Sequence, residues 1–295
     1  VHVPPGWTTY DDPRGRWQPW VAALPRLARD VLEEWELVED GEQRHGVAAV
    51  VLMVRTVEGT PAALKIGFPH EEAEHEHVAL QYWHGRGAVT LLRADPRRSL
   101  MLLERLSTTD LTDAWDVEAC ETVAGLYRRL HVPAPPQLRR LSSYVGEWVD
   151  RLAGLPRDAP VPHRLVEQAV SLGRALASDE ATDGTMIHTD LHYANVLAAD
   201  REPWLAIDPK PLSGDPHYEV APLLWNRWDE LEGDYRDGVR RRFHAVVDAA
   251  GLDEDRARDW VVVRMLTNVL WSLEEREPDA DWITRCVTLA KAVQD

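Results

Sequence analysis

The feature that most constrains this chain is one β-like interruption in a second half that otherwise reads as helix: MIHTDLHYANVLAADREPWLAIDPK, residues 186–210. Short apolar strands flank a polar loop, and a turn falls at Asp200 to Glu202. The loop places the carboxylate of Asp190 five residues before the amide of Asn195, and Asp208 follows the apolar run Trp204 to Ile207. If residues 195–199 pair antiparallel with 204–208, Asn195 and Asp208 become opposite ends of one hairpin. Two oxygen ligands then converge, with Asp190 on the preceding loop. Magnesium takes few protein ligands and is completed by substrate phosphates and water, so Asn195 and Asp208 are the expected metal ligands. Asp190 is left to orient an acceptor hydroxyl and take its proton, which suits phosphoryl transfer.

A chain of 295 residues exceeds the usual single core, so two lobes with a cleft are expected. The pattern divides accordingly. Trp20, Leu24, Leu27, Val31 and Trp35 mark a leading amphipathic helix within residues 17–37. Residues 47–57 and 61–66 form a hairpin around Glu58-Gly59, a helix covers 71–83, and AVTLL and SLMLLERL supply two more strands around the DPRR turn. Helices are expected at 113–130, 138–155 and 162–177, and again from Tyr218 to the end. The fold class is therefore α+β: a small antiparallel β-sheet N-lobe with one inserted helix, and a mainly helical C-lobe carrying the loop and hairpin. The boundary is placed at 1–104 and 105–295.

Within the apolar strand Ala62 to Ile66, Lys65 must snorkel to water or find anions. In the following helix Ala73, Glu76, Leu80 and Trp83 share one stripe, so Glu76 faces the core and needs a cation; Glu72 is the second choice.

A net charge of −17 argues against nucleic acid and anionic membrane surfaces as partners and suits a cationic ligand. Two cysteines, Cys120 and Cys286, far apart in helical patterns, imply neither a disulfide framework nor a cysteine metal site. With no leader pattern and no apolar run of spanning length, a cytoplasmic protein is expected.

The loop resembles the catalytic loop of the protein-kinase-like superfamily, with His188, Asp190, Asn195 and Asp208 matching position for position. Asp208 is followed by Pro209-Lys210 instead of Phe-Gly, and no Arg precedes Asp190, which points away from regulated protein kinases toward antibiotic and metabolite kinases. The stretches GTPAALKI, ALQYWHGRGAVTLL, LLERL, LHVPAP, HTDLHYANVL and PWLAIDPKPLSGDPHYEVAPLLWNR are similar to the aminoglycoside and hydroxyurea resistance kinases of the streptomycin 6-kinase type. That resemblance implies a bilobal protein-kinase-like fold. It implies ATP, or GTP, as donor with Mg2+, and Asp190 and His188 as the catalytic-loop pair. It also implies a nucleotide-binding N-lobe in which Lys65 contacts the phosphates and Glu76 orients it, with Glu104, Arg105 and Leu106 as the hinge beside the base. The expected function is ATP-dependent O-phosphorylation of a small cationic acceptor of the streptomycin type by a monomer or homodimer, or else of another amino sugar or metabolite.

A cleft for such an acceptor needs carboxylates and flat rings. Asp215, Glu219, Trp225, Asn226 and Asp229 follow the hairpin, and Trp271, Glu274 and Glu275 end a later helix, so these are the acceptor candidates. Two rivals remain. In a metal-dependent phosphohydrolase, His188, Asp190 and His192 would hold a transition metal. In a catalytically silent kinase-like protein, nucleotide would bind without turnover.

Overall fold

The computed structural model describes residues 1–10, 12 and 14–294. The chain divides into two compact units, Val1–Gly85 with Val89–Leu106, and Arg86–Ala88 with Ser107–Asp295.

The first unit opens with α1 (Trp17–Glu34), which buries Trp17, Val21, Leu24, Ala28 and Val31 along one stripe. The Asp12 carboxylate accepts the Trp17 N–H at 2.6 Å at its start. Then come β1 (Val38–Glu39), β2 (Arg44–His45), β3 (Ala49–Arg55), β4 (Pro61–Gly67), α2 (Glu76–Trp83), β5 (Leu91–Asp95) and β6 (Leu100–Glu104). The antiparallel sheet runs β1-β3-β4-β6-β5, with β2 on β3. Alternation along β3 and β4 sends Val50, Leu52, Val54, Ala62, Leu64 and Ile66 to the core shared with α1. Lys65 therefore belongs to the other face. The helix expected over 71–83 is shorter: Glu71–Ala73 form a 3-10 turn, and α2 begins at Glu76. β1 and β2, two residues each, are too short to leave a periodic signal.

The second unit contains α3 (Asp116–Leu130), β7 (Val132–Pro133), α4 (Leu141–Ala153), α5 (His163–Ser178), β8 (Thr185–Ile187), β9 (Val196–Ala198), β10 (Trp204–Ala206), β11 (Leu212–Gly214), α6 (Ala221–Trp225), α7 (Tyr235–Ala250), α8 (Glu254–Glu274) and α9 (Ala280–Ala292). α8 is buried on nearly every side from Trp260 to Leu270, which makes it the axis of the unit. Beside the expected hairpin lies an unexpected second sheet, β11-β8-β7. Its β11 approaches closely because residue 214 is glycine: a Cβ there would sit 2.4 Å from Ile187 Cδ1. β9 and β10 are flanked by residues 87–88 and 107–111, through the Ala206 N–H to Gly87 carbonyl bond and the Ser107 N–H to Ala198 carbonyl bond. Among the described residues no helix is long and apolar enough to cross a membrane. Cys120 and Cys286 are buried free thiols.

Candidate active site

β8 ends at Ile187 and delivers the chain directly into the loop. His188 is fully buried; its Nε2 donates to the Ile207 carbonyl at 2.9 Å and its Nδ1 accepts the Asp190 N–H at 3.2 Å. Those partners require the neutral ring protonated at Nε2. Burial pushes the His188 pKa down despite the pull of Glu219 and Asp190, in agreement with that tautomer.

Glu219, also fully buried, holds the loop from the other side. Its Oε1 accepts the N–H groups of His188 and Thr189, the latter at 2.8 Å, and its Oε2 faces His131 Nε2. Burial works against its charge, but His131, His188 and the Thr189 N–H outweigh it, and the carboxyl lies below the ordinary range.

Asp190 is a fifth exposed at the side chain, and its Oδ2 meets Lys210 Nζ at 2.5 Å. Asn195 donates from Nδ2 to the Asp190 carbonyl at 2.9 Å, so Oδ1 is the atom of this amide that could serve as a ligand. The hairpin register differs from the expected one by a residue. Ala206 pairs with Val196, and the Ile207 N–H reaches the Asn195 carbonyl at 2.9 Å, so Asn195 stands opposite Ile207 and not Asp208. Asp208 follows at the strand end with φ +57°, a left-handed conformation that aspartate tolerates and that ends the ladder. Asp208 thus stands one residue beyond the position that faces Asn195. One amide oxygen and one carboxylate fit a hard cation completed by phosphate and water. Among the described residues no three His, Cys, Asp or Glu side chains gather as a metal cluster. Both His188 nitrogens are spent on backbone groups, so the transition-metal hydrolase lacks its ligand set.

In the first unit, Lys65 Nζ meets both Glu76 carboxylate oxygens, at 2.6 and 2.7 Å. The side chains are 11% and 2% exposed, whereas Glu72 is exposed on the preceding turn. Glu104 pairs through Oε2 with the Thr90 N–H at 3.0 Å. Arg105 turns its guanidinium back to Asp40, at 2.9 Å, and to the Val54 and Ala62 carbonyls, so its side chain braces β1, β3 and β4. Leu106 closes the unit.

The acceptor candidates separate. Trp225, Trp271 and Glu275 line one pocket of about 320 Å³ together with Asn268, Ser272, Asp279 and Trp282. Asp215 is 2% exposed and committed to Trp260 Nε1 at 2.7 Å, Arg256 and His217, and Glu219 is the loop brace, so neither is available to an acceptor. Asn226 donates to the Pro222 carbonyl at 2.9 Å, Glu274 pairs with Arg151, and Asp229 is fully exposed; none of these lines the pocket. Lys210, Asn268, Ser272, Asp279 and Trp282 are not among the expected site residues. Lys210 carries a signal, as the basic residue two after Asp208, but the pocket residues come from α8, α9 and the α9 N-cap and depend on tertiary packing.

One solution property follows from the buried rings. Burial lowers the pKa of His188 and of His192. The unfolded chain therefore binds more protons than the folded one just below the usual imidazole value of about 6.5, and stability from this source, full above that pH, is lost as pH falls through it. Thermal midpoints are expected to fall between about pH 7.5 and about pH 5.5, and His188→Asn should flatten the slope. A midpoint that rose over that range would mean that the folded state holds the rings protonated.

A family described as aminoglycoside/hydroxyurea antibiotic resistance kinase matches residues 34–275. A streptomycin 6-kinase from Streptomyces glaucescens is 43% identical over 94% of this chain and 91% of its own length. A hydroxyurea phosphotransferase from Kitasatospora aureofaciens is 41% identical over 88% of this chain and 76% of its own. Among solved structures, an aminoglycoside phosphotransferase in ternary complex with ADP and hygromycin B superposes with a TM-score of 0.60 at 17% identity, covering 90% of this chain and 97% of that one.

Proposed function

The chain belongs to the aminoglycoside/hydroxyurea antibiotic resistance kinases, and we propose that it transfers the γ-phosphoryl of ATP to a hydroxyl of a polycationic aminoglycoside of the streptomycin type. It is a small-molecule kinase with a protein-kinase-like fold. The observation that carries the proposal is the Asp190 carboxylate, tied through Oδ2 to Lys210 on the loop whose next amide is Asn195.

In this mechanism the acceptor hydroxyl donates to Asp190 Oδ1, since Oδ2 is engaged by Lys210. The hydroxyl oxygen attacks the γ-phosphorus, the bond to the bridging oxygen breaks with its electron pair leaving on ADP, and the proton passes to Asp190. Lys210 places a positive charge beside the group where negative charge is redistributed. Asn195 and Asp208 would hold Mg2+, which when bound neutralises phosphate charge. Lys65, oriented by Glu76, takes phosphate oxygens, and the backbone of residues 104–106 takes the base. His188 positions the loop and touches no substrate. Trp225, Trp271 and Trp282 with Glu275 and Asp279 suit a ligand that combines sugar faces with cations.

Mass spectrometry of a panel incubated with Mg-ATP tests the proposal, with streptomycin, hygromycin B, other amino sugars and neutral hydroxyurea as members. Streptomycin is expected to gain one phosphoryl group. If no aminoglycoside is modified while hydroxyurea is, the cationic acceptor is wrong although the kinase chemistry stands.

A further inference from the structure

We infer that Arg264 is a positioning residue that fixes the peptide joining Thr189 to Asp190 and ties it to the wall of the acceptor pocket. The inference rests on the proposal that Asp190 receives the acceptor proton.

Arg264 lies in the middle of α8 and is 9% exposed. A buried guanidinium is expected to face a carboxylate, as Arg242 faces Asp116 at 3.2 Å. Arg264 has no such partner among the described residues. Its Nη1 donates to the Tyr218 carbonyl at 3.0 Å, its Nη2 donates to the Thr189 carbonyl, and its Cζ lies 4.3 Å from the Tyr218 ring centroid and 4.9 Å from that of Trp225. Burying a guanidinium without a directly paired carboxylate is costly, and hydrogen bonds from a charged donor to carbonyls are stronger than those from a neutral one.

What they hold is strained. Thr189 has φ +64°, an outlier for a β-branched residue. Such a conformation costs on the order of 1–3 kcal/mol and persists where its surroundings over-determine it. Here the Thr189 N–H goes to Glu219 at 2.8 Å and its Oγ1 to the Lys210 carbonyl at 2.6 Å. The peptide that follows is clamped at both ends. Arg264 takes its carbonyl oxygen, and His188 Nδ1 takes its N–H, which is the Asp190 amide, at 3.2 Å. That plane sets the direction in which the Asp190 side chain leaves the backbone. The same guanidinium lies 4.9 Å from the Trp225 ring centroid, so the group that aims the base also contacts one ring of the pocket.

Arg264→Ala is the test, with streptomycin as acceptor or whichever panel member is turned over. It is expected to lower kcat about 100-fold and raise acceptor KM while nucleotide KM stays within about twofold. Millimolar guanidinium should restore turnover to Arg264→Ala and not to Asp190→Asn. Glycine adopts positive φ without strain, so Thr189→Gly combined with Arg264→Ala should recover about tenfold over the single variant. Arg264→Lys, which retains charge and one donor, is expected to fall between and serves if the alanine variant does not fold. If Asp190→Asn is inactive but the folded fraction of both Arg264 variants turns over at the wild-type kcat, the residue is merely structural and the inference fails. If Asp190→Asn remains active, it is the assignment of the base that fails.

Discussion

Asp190→Asn is expected to lower kcat by about 10³-fold with both KM values within about threefold, because it removes a proton acceptor and little else. Asparagine keeps the shape and an oxygen for Lys210. Lys210 itself is 31% exposed at the side chain, so water can solvate its ammonium when the carboxylate is gone. The fold should therefore survive, and thermal melting will verify that it does. Steady-state kinetics on the phosphorylated acceptor provide the measurement. A variant within tenfold of the wild type would remove Asp190 from proton transfer.

The second large effect is expected from Lys65→Met, and it has two parts that can be separated. Losing the cation proposed to take phosphate oxygens should lower kcat/KM for ATP about 10²- to 10³-fold. Losing the partner of Glu76, 2% exposed, should also destabilise the protein by about 3–5 kcal/mol, because a carboxylate is left buried without compensation. Lys65→Met combined with Glu76→Leu removes both charges, and denaturant titration should show most of the stability returning while the activity does not. Recovery of activity in the double variant would make the pair a structural bridge alone.

How much of this was legible in the sequence varies with the range of the interactions involved. A lysine inside an apolar strand and a glutamate on the apolar stripe of the next helix each pointed to an ionic partner, and the family resemblance supplied the pairing of Lys65 with Glu76, with Glu72 as the second choice. The hairpin could be read because strand, turn and strand are contiguous, but its register could not. The connection between Ala198 and Trp204 takes one residue more than the compact turn assumed, and Asp208 leaves the strand through a left-handed backbone conformation. β7 and β11, two and three residues long, carry no periodicity. The acceptor candidates were the least legible. Asp215 and Glu219 have the composition of ligand groups but are consumed by Trp260, Arg256, His131 and the loop amides, whereas Trp282 and Asp279 reach the pocket only through the packing of α9 against α8. Arg264 in an apolar helix would be taken for a side chain snorkelling to water, and nothing local shows that it turns inward to a carbonyl.

Asp208 is followed by a segment sewn to the loop it serves. Pro209 stiffens it, the Lys210 N–H holds the His188 carbonyl at 3.0 Å, the Lys210 carbonyl receives the Thr189 hydroxyl, and the Lys210 ammonium holds Asp190. Swinging Asp208 out of place would break all three bonds at once, at roughly 1 kcal/mol for each neutral one and more for the charged one. The loop that carries Asp190 and the segment that follows Asp208 are thereby held together as one piece of structure.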